Sequence, residues 1–123
     1  MARLLIADDA TAIVDVLLRS LTRQGYAVEA VHDGASALVR MRTGAIPDLL
    51  IADLTMPILG GRELVREMRG DVRLRAVPVV LMSGAVPTKG ALPPQGDYQA
   101  CIGKPFALQE LLSAVQAALG ESG

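Results

Sequence analysis

LLIADD, residues 4–9, is a short apolar run that stops at two adjacent carboxylates. A run of this length reads as a strand buried on both faces, spanning Arg3 to Ala7 once the flanking arginine is included. Two like charges at the end of a buried strand need a reason. Downstream, Ile13, Val14, Leu17, Leu18 and Leu21 recur at helical spacing, and Gly25 supplies the left-handed residue that stops a helix. AVEAV at 27–31 is a second strand. Asp33 caps a second helix that carries Ala37, Leu38 and Met41 and is closed by Gly44. Pro47 and Asp48 then introduce a third buried run, LLIA, which ends at Asp53. A third helix is expected from Gly60 to Met68, with Leu64, Val65 and Met68 inward and Arg62, Arg66 and Arg69 outward.

Val77 to Met82 is a fourth strand, after which the pattern weakens. Pro87, Pro93 and Pro94, with Gly90 and Gly96, oppose a regular helix between Ser83 and Lys104. A short fifth strand around Ala100 to Ile102 precedes a last helix from about Ala107 to Leu119, with Leu108, Leu111, Leu112 and Val115 on one face. Strands alternating with helices imply parallel pairing through crossovers, hence an α/β fold with a doubly wound parallel sheet.

Composition narrows the function classes. The 123 residues suit one domain, expected over residues 1–119, with GESG at 120–123 as a frayed tail. Lysine and arginine number 12 against 13 aspartates and glutamates, so no global field favours nucleic acid or an anionic membrane. The longest apolar stretches, such as VPVVLM at 77–82, are far shorter than a bilayer span, and MARLLIADDA is not a secretory signal. A cytoplasmic location is expected. The single cysteine, Cys101, excludes an internal disulfide and a cysteine-based metal cluster.

Ligands of an open parallel sheet bind beyond the carboxyl ends of its strands. Strand one ends in Asp8 and Asp9, strand three in Asp53, strand four in Ser83 and strand five in Lys104. Three carboxylates gathered at one edge repel each other, and a divalent cation resolves the conflict. Oxygen-only ligands suit Mg²⁺, which is satisfied by one or two protein carboxylates together with waters and a phosphate. An aspartate can itself attack phosphorus, with Mg²⁺, a lysine and a hydroxyl sharing the charge of the phosphoryl oxygens.

With these residues in view, the chain resembles the receiver domain of bacterial two-component response regulators over nearly its whole length. The resemblance rests on DD at 8–9, DLTMP at 53–57 followed by Gly60, SGA at 83–85 and KPF at 104–106. It implies the flavodoxin-like strand order 2-1-3-4-5. It also implies Asp53 as phosphoacceptor, Asp8, Asp9, Asp53 and the backbone carbonyl of Thr55 as Mg²⁺ ligands, Lys104 as the phosphoryl partner and a cis Lys104–Pro105 bond. Ser83 would be the switch hydroxyl. The implied function is a phosphorelay switch, not a metabolic enzyme, which takes a phosphoryl group from a histidine kinase or phosphotransfer protein and changes affinity for a downstream protein. No direct contact with nucleic acid or membrane is implied.

Two departures stand out. Receiver domains usually carry an aromatic residue three positions before the lysine, where this chain has Cys101, and Tyr98 is in the wrong strand phase to replace it. The helix between strands four and five is expected to be short, shifted or absent. Both leave room for a second reading, a receiver-like interaction module that works without phosphorylation.

Plainer readings exist for each residue alone. Asp8 and Asp9 can cap a helix, Asp53 can be a polar strand end, Ser83 a loop residue and Lys104 a solvated cation. Their coincidence at one sheet edge is what opposes those readings. Cys101 reads as a small buried hydrophobe, Met41, Met68 and Met82 as core, His32 as an ordinary loop residue, and the arginines of helix three, with Arg73 and Arg75, as a solvated face. A Mg²⁺-dependent phosphohydrolase would want an acid two residues after the nucleophile, where Thr55 stands. Flavin phosphate would be repelled by Asp8 and Asp9. With no DNA-binding or catalytic domain expected after residue 119, the chain reads as a stand-alone receiver or one taken from a larger protein.

Overall fold

The computed structural model describes residues 1–88 and 90–121. In chain order it contains β1 (Arg3–Ala7), α1 (Thr11–Arg23), β2 (Ala27–Val31), α2 (Gly34–Thr43), β3 (Leu49–Asp53), α3 (Gly61–Arg69), β4 (Val79–Ser83), β5 (Ala100–Gly103) and α4 (Leu108–Ala118). The five strands form one parallel sheet in the order β2-β1-β3-β4-β5, as the resemblance implied.

The period-two alternation of each strand divides the core into two layers. Leu5, Ala7, Leu50, Ala52, Val79 and Leu81 face α2 and α3, where they meet Ala37, Met41, Leu64, Val65 and Met68. Leu4, Ile6, Leu49, Ile51, Val80, Met82 and Ile102 face α1 and α4, meeting Val14, Leu17, Leu21, Leu111 and Val115. Full burial of side chains of this size is worth roughly 1.5–3 kcal/mol each, so the two layers supply the main driving force for the fold. Met41, Met68 and Met82 are core, as expected.

Helix punctuation follows local chemistry. The Asp33 carboxylate accepts the Ser36 backbone N–H at 2.6 Å and starts α2. α1 ends at Gln24, and Gly25 adopts φ +97°. β4 starts two residues later than expected because Pro78 cannot donate to the ladder, while its carbonyl accepts from Leu50 N. Val77 is nonetheless buried.

The connection from β4 to β5 holds no helix among the described residues; Lys89 lies outside them. Leu92 and Tyr98 pack on the α2/α3 layer instead. Arg69, expected to point outward, is turned onto this connection. Its guanidinium donates to the Asp97 carbonyl from Nε (3.0 Å) and Nη2 (2.5 Å), and from Nη1 to the carbonyls of Val77 (2.9 Å) and Arg75 (3.2 Å). A planar fork with five donors suits this because irregular backbone leaves carbonyls without ladder partners. Burial lowers the pKa of the guanidinium, with the Asp97 charge opposing the shift.

In the tail, the Tyr26 hydroxyl donates to Glu121 Oε1 at 2.6 Å. Residues 122–123 of the expected frayed tail lie outside the described residues.

Candidate functional site

Parallel registration brings the strand ends together. Ala7 pairs with Ala52 and Val31, and Ser83 pairs with Gly103, so Asp8, Asp53, Ser83 and Lys104 meet at the carboxyl edge of the sheet. Asp8 is fully buried, Asp53 and Ser83 nearly so, and Asp9 is exposed. Carboxylate oxygens of Asp8, Asp9 and Asp53 lie within 4.8 Å of one another.

Lys104 Nζ sits between two of them, 2.9 Å from Asp8 Oδ2 and 3.2 Å from Asp53 Oδ2. Its strand is tied to β4 by the bond from Lys104 N to Ser83 O at 2.7 Å, and Lys104–Pro105 is cis. Asp8 Oδ1 also accepts from Ala10 N at 2.9 Å. This bond shapes the turn into α1 but does not make Asp8 its cap residue, which is Ala10.

Burial raises the Asp53 carboxyl above its ordinary value, the hydrogen bond and charge of Lys104 oppose the rise, and the nearby Asp8 adds to it. For Lys104, burial acts downward, but the hydrogen bonds and charges of Asp8 and Asp53 prevail and the ammonium is stabilised. With the carboxylates ionised, the cluster carries three negative charges against the one positive charge of Lys104, leaving a net charge of −2. An all-oxygen set with that residual charge fits a hard divalent cation such as Mg²⁺.

The loop after Asp53 is held close to the strand end. Thr55 N approaches Asp53 Oδ1 at 3.4 Å, Leu54 N donates to Met82 O at 2.7 Å, and Gly61 N donates to Leu54 O at 3.0 Å. A Cβ at Gly61 would lie 2.8 Å from the Asp53 carbonyl oxygen, so only glycine lets α3 start this close to the acidic edge. Thr55 is exposed beside the carboxylates.

Ser83 lies at the edge, but its hydroxyl donates to the Ala85 carbonyl at 2.5 Å. The hydroxyl is engaged by its own loop rather than by Asp53 or Lys104. Cys101 is not the buried hydrophobe expected; it is exposed. β5 is an edge strand whose Ile102 takes the α1/α4 layer, leaving Cys101 on the opposite face, where no helix among the described residues covers it. It lines a cavity of about 590 Å³ with Ser83, Ala85, Val86, Leu92 and Lys104. Packing around its sulfur pushes the thiol pKa up. His32 is a loop residue after β2, as expected, but its Nδ1 lies 3.3 Å from the Asp8 carbonyl oxygen, in contact with the acidic edge.

The family model of the response regulator receiver domain matches residues 4–116. The chain belongs to the response-regulator receiver family. It is 39% identical over 119 residues to the response regulator MprA of Mycobacterium tuberculosis, covering 95% of this chain and 50% of the relative. The chain thus spans about half the length of the curated relatives it matches. A putative response regulator from Chloroflexus aurantiacus superposes with a TM-score of 0.88 at 29% identity, covering 98% of both chains. The response regulator protein TrrA from Thermotoga maritima, solved in complex with Mg(2+)-BeF, superposes with a TM-score of 0.82 at 25% identity, covering 96% of this chain and 99% of that one. As a receiver domain, the chain is part of a signalling switch of two-component systems. No helix among its described residues is long and apolar enough to cross a membrane.

Proposed function

We propose that this receiver domain, occupying residues 1–119, accepts a phosphoryl group on Asp53 from a histidine kinase or phosphotransfer protein in the cytoplasm. The change of state then alters its affinity for a downstream protein. The observation that carries this reading is the bridge from Lys104 Nζ to Asp8 and Asp53, which leaves one strongly solvent-facing carboxylate, Asp9, at the rim.

In the forward step an Asp53 carboxylate oxygen bonds to phosphorus as the P–N bond of a phosphohistidine breaks. The bonding pair stays on the imidazole nitrogen, which takes up a proton from solvent. Lys104 exchanges part of its contact with Asp53 for a phosphoryl oxygen, and the Ser83 hydroxyl leaves the Ala85 carbonyl to donate to another. In the reverse step water attacks phosphorus and the P–O bond to Asp53 breaks, restoring the carboxylate and releasing inorganic phosphate. Asp8, Asp9, Asp53 and the Thr55 carbonyl would hold Mg²⁺, which supplies positive charge opposite the phosphoryl oxygens.

The test is intact mass after incubation with a small-molecule phosphodonor, with and without Mg²⁺, for wild type and Asp53→Asn. A Mg²⁺-dependent gain of one phosphoryl group in wild type alone is expected. The second reading, an interaction module that needs no phosphorylation, is favoured by the Ser83–Ala85 bond and by exposed Cys101 where an aromatic is usual. No gain in wild type that demonstrably binds Mg²⁺, even with a phosphorylated donor protein, would select it.

A further inference from the structure

Of the three acidic groups at the carboxyl edge, two are fixed by side chains. Lys104 holds Asp8 and Asp53, and Ala10 N adds a second contact to Asp8. Among the described residues nothing comparable holds the Asp9 carboxylate, although its oxygen lies with the other two inside 4.8 Å. The backbone, including the Asp8–Asp9 peptide plane, therefore sets where its Cα–Cβ bond starts and which rotamers reach the other two carboxylates. The carbonyl oxygen of that peptide is the atom that His32 Nδ1 approaches at 3.3 Å.

The contact has a clear structural origin. Asp8 N donates to Val31 O at 3.1 Å, the last rung of the β1–β2 ladder. One more parallel rung would bring the backbone N–H of residue 33 to Asp8 O. There, however, the chain turns away, because Asp33 becomes the cap of α2. The imidazole of His32 supplies the donor that the departing backbone does not. Because a carbonyl only accepts, this hydrogen bond is made by the tautomer with its proton on Nδ1.

We propose that His32 is a positioning residue of the receiver site: by holding the Asp8 carbonyl it fixes the Asp8–Asp9 peptide and so presents the Asp9 carboxylate to a divalent cation. This rests on the reading of Asp8, Asp9 and Asp53 as a Mg²⁺ site. It concerns a residue that touches neither the cation nor the phosphoryl group.

The test compares wild type, His32→Leu and His32→Asn. Leucine keeps bulk without a donor, whereas asparagine places its amide nitrogen the same number of bonds from the backbone as Nδ1. Amide hydrogen exchange at Asp8 and Ala10 is read by NMR in metal-free protein, and Mg²⁺ affinity by calorimetric titration. His32→Leu should accelerate exchange at Asp8 and Ala10, whose N–H groups donate to Val31 O and Asp8 Oδ1, and weaken Mg²⁺ binding by about threefold to tenfold, the range expected for one modest hydrogen bond, with His32→Asn within about twofold of wild type. Wild-type exchange and affinity in His32→Leu would overturn the proposal, as would an equal loss in His32→Asn. Failure of wild type itself to bind Mg²⁺ would sink the receiver reading of the site, and exchange would still decide whether His32 holds the loop.

Discussion

Two regions of this molecule each depend on one cation, and they depend on it differently. At the carboxyl edge of the sheet, Lys104 is shared between the carboxylates of Asp8 and Asp53. In the connection from β4 to β5, Arg69 is shared among the backbone carbonyls of Asp97, Val77 and Arg75. The first contact joins side chains whose chemistry is written in the sequence. The second joins a side chain to groups that every residue possesses. A lysine between two acids can be anticipated from strand ends, whereas an arginine on carbonyls looks in sequence like any solvent-facing charge.

The largest effect should come from removing the first cation. Lys104→Ala leaves the buried Asp8 facing Asp53 without a counter-charge, and should cost about 2–3 kcal/mol of stability near neutral pH in metal-free protein. Urea unfolding measures this, and added Mg²⁺ should restore part of the loss. Stability equal to wild type would break the comparison, because the edge would then be held by its backbone alone.

Removing the second cation should act locally. Arg69→Ala gives up four donated hydrogen bonds and frees carbonyls that water can reach, so a cost of about 2 kcal/mol is expected. Hydrogen exchange should rise in residues 90–99 and stay unchanged at Asp8 and Asp53. An equal rise at the acidic edge would merge the two regions into one cooperative unit.

The smallest effect belongs to a pair outside both regions, Tyr26 and Glu121. Burial, then the hydrogen bond and charge of Glu121, push the tyrosine hydroxyl from 10.0 up to about 12. The folded state thus favours the protonated phenol. This contribution is complete below about pH 10 and is lost as pH rises through about 12. The stability difference between wild type and Tyr26→Phe should therefore shrink across that window, with the acidic edge unaffected. A constant difference would show that the phenol is not differentially stabilised by folding.

The contrast between side-chain and backbone partners also explains which residues were legible. Asp8, Asp9, Asp53, Ser83 and Lys104 were readable together because a parallel sheet aligns the carboxyl ends of its strands, so position after a strand is enough to place a residue at the edge. His32 was missed for the same reason as Arg69: its partner is a carbonyl, and nothing in a sequence marks which carbonyl lacks a rung. Cys101 was misjudged because strand phase gives the face it points to, not whether a helix covers that face. Ser83 was placed correctly, but the bond to Ala85 depends on a turn whose geometry residue types leave open.

By itself, then, the sequence determined the α/β alternation, the proline-disrupted passage before β5 and the set of charged groups at one edge. These follow from the period of apolar residues and the backbone limits of proline and glycine, both local properties. Only the tertiary structure decided that Arg69 would secure the connection from β4 to β5, that Cys101 would stay exposed, and that His32 would lie against the Asp8 carbonyl. Each of those outcomes depends on where unpaired backbone groups and uncovered surfaces remain after the strands and helices have packed, and that remainder exists only in three dimensions.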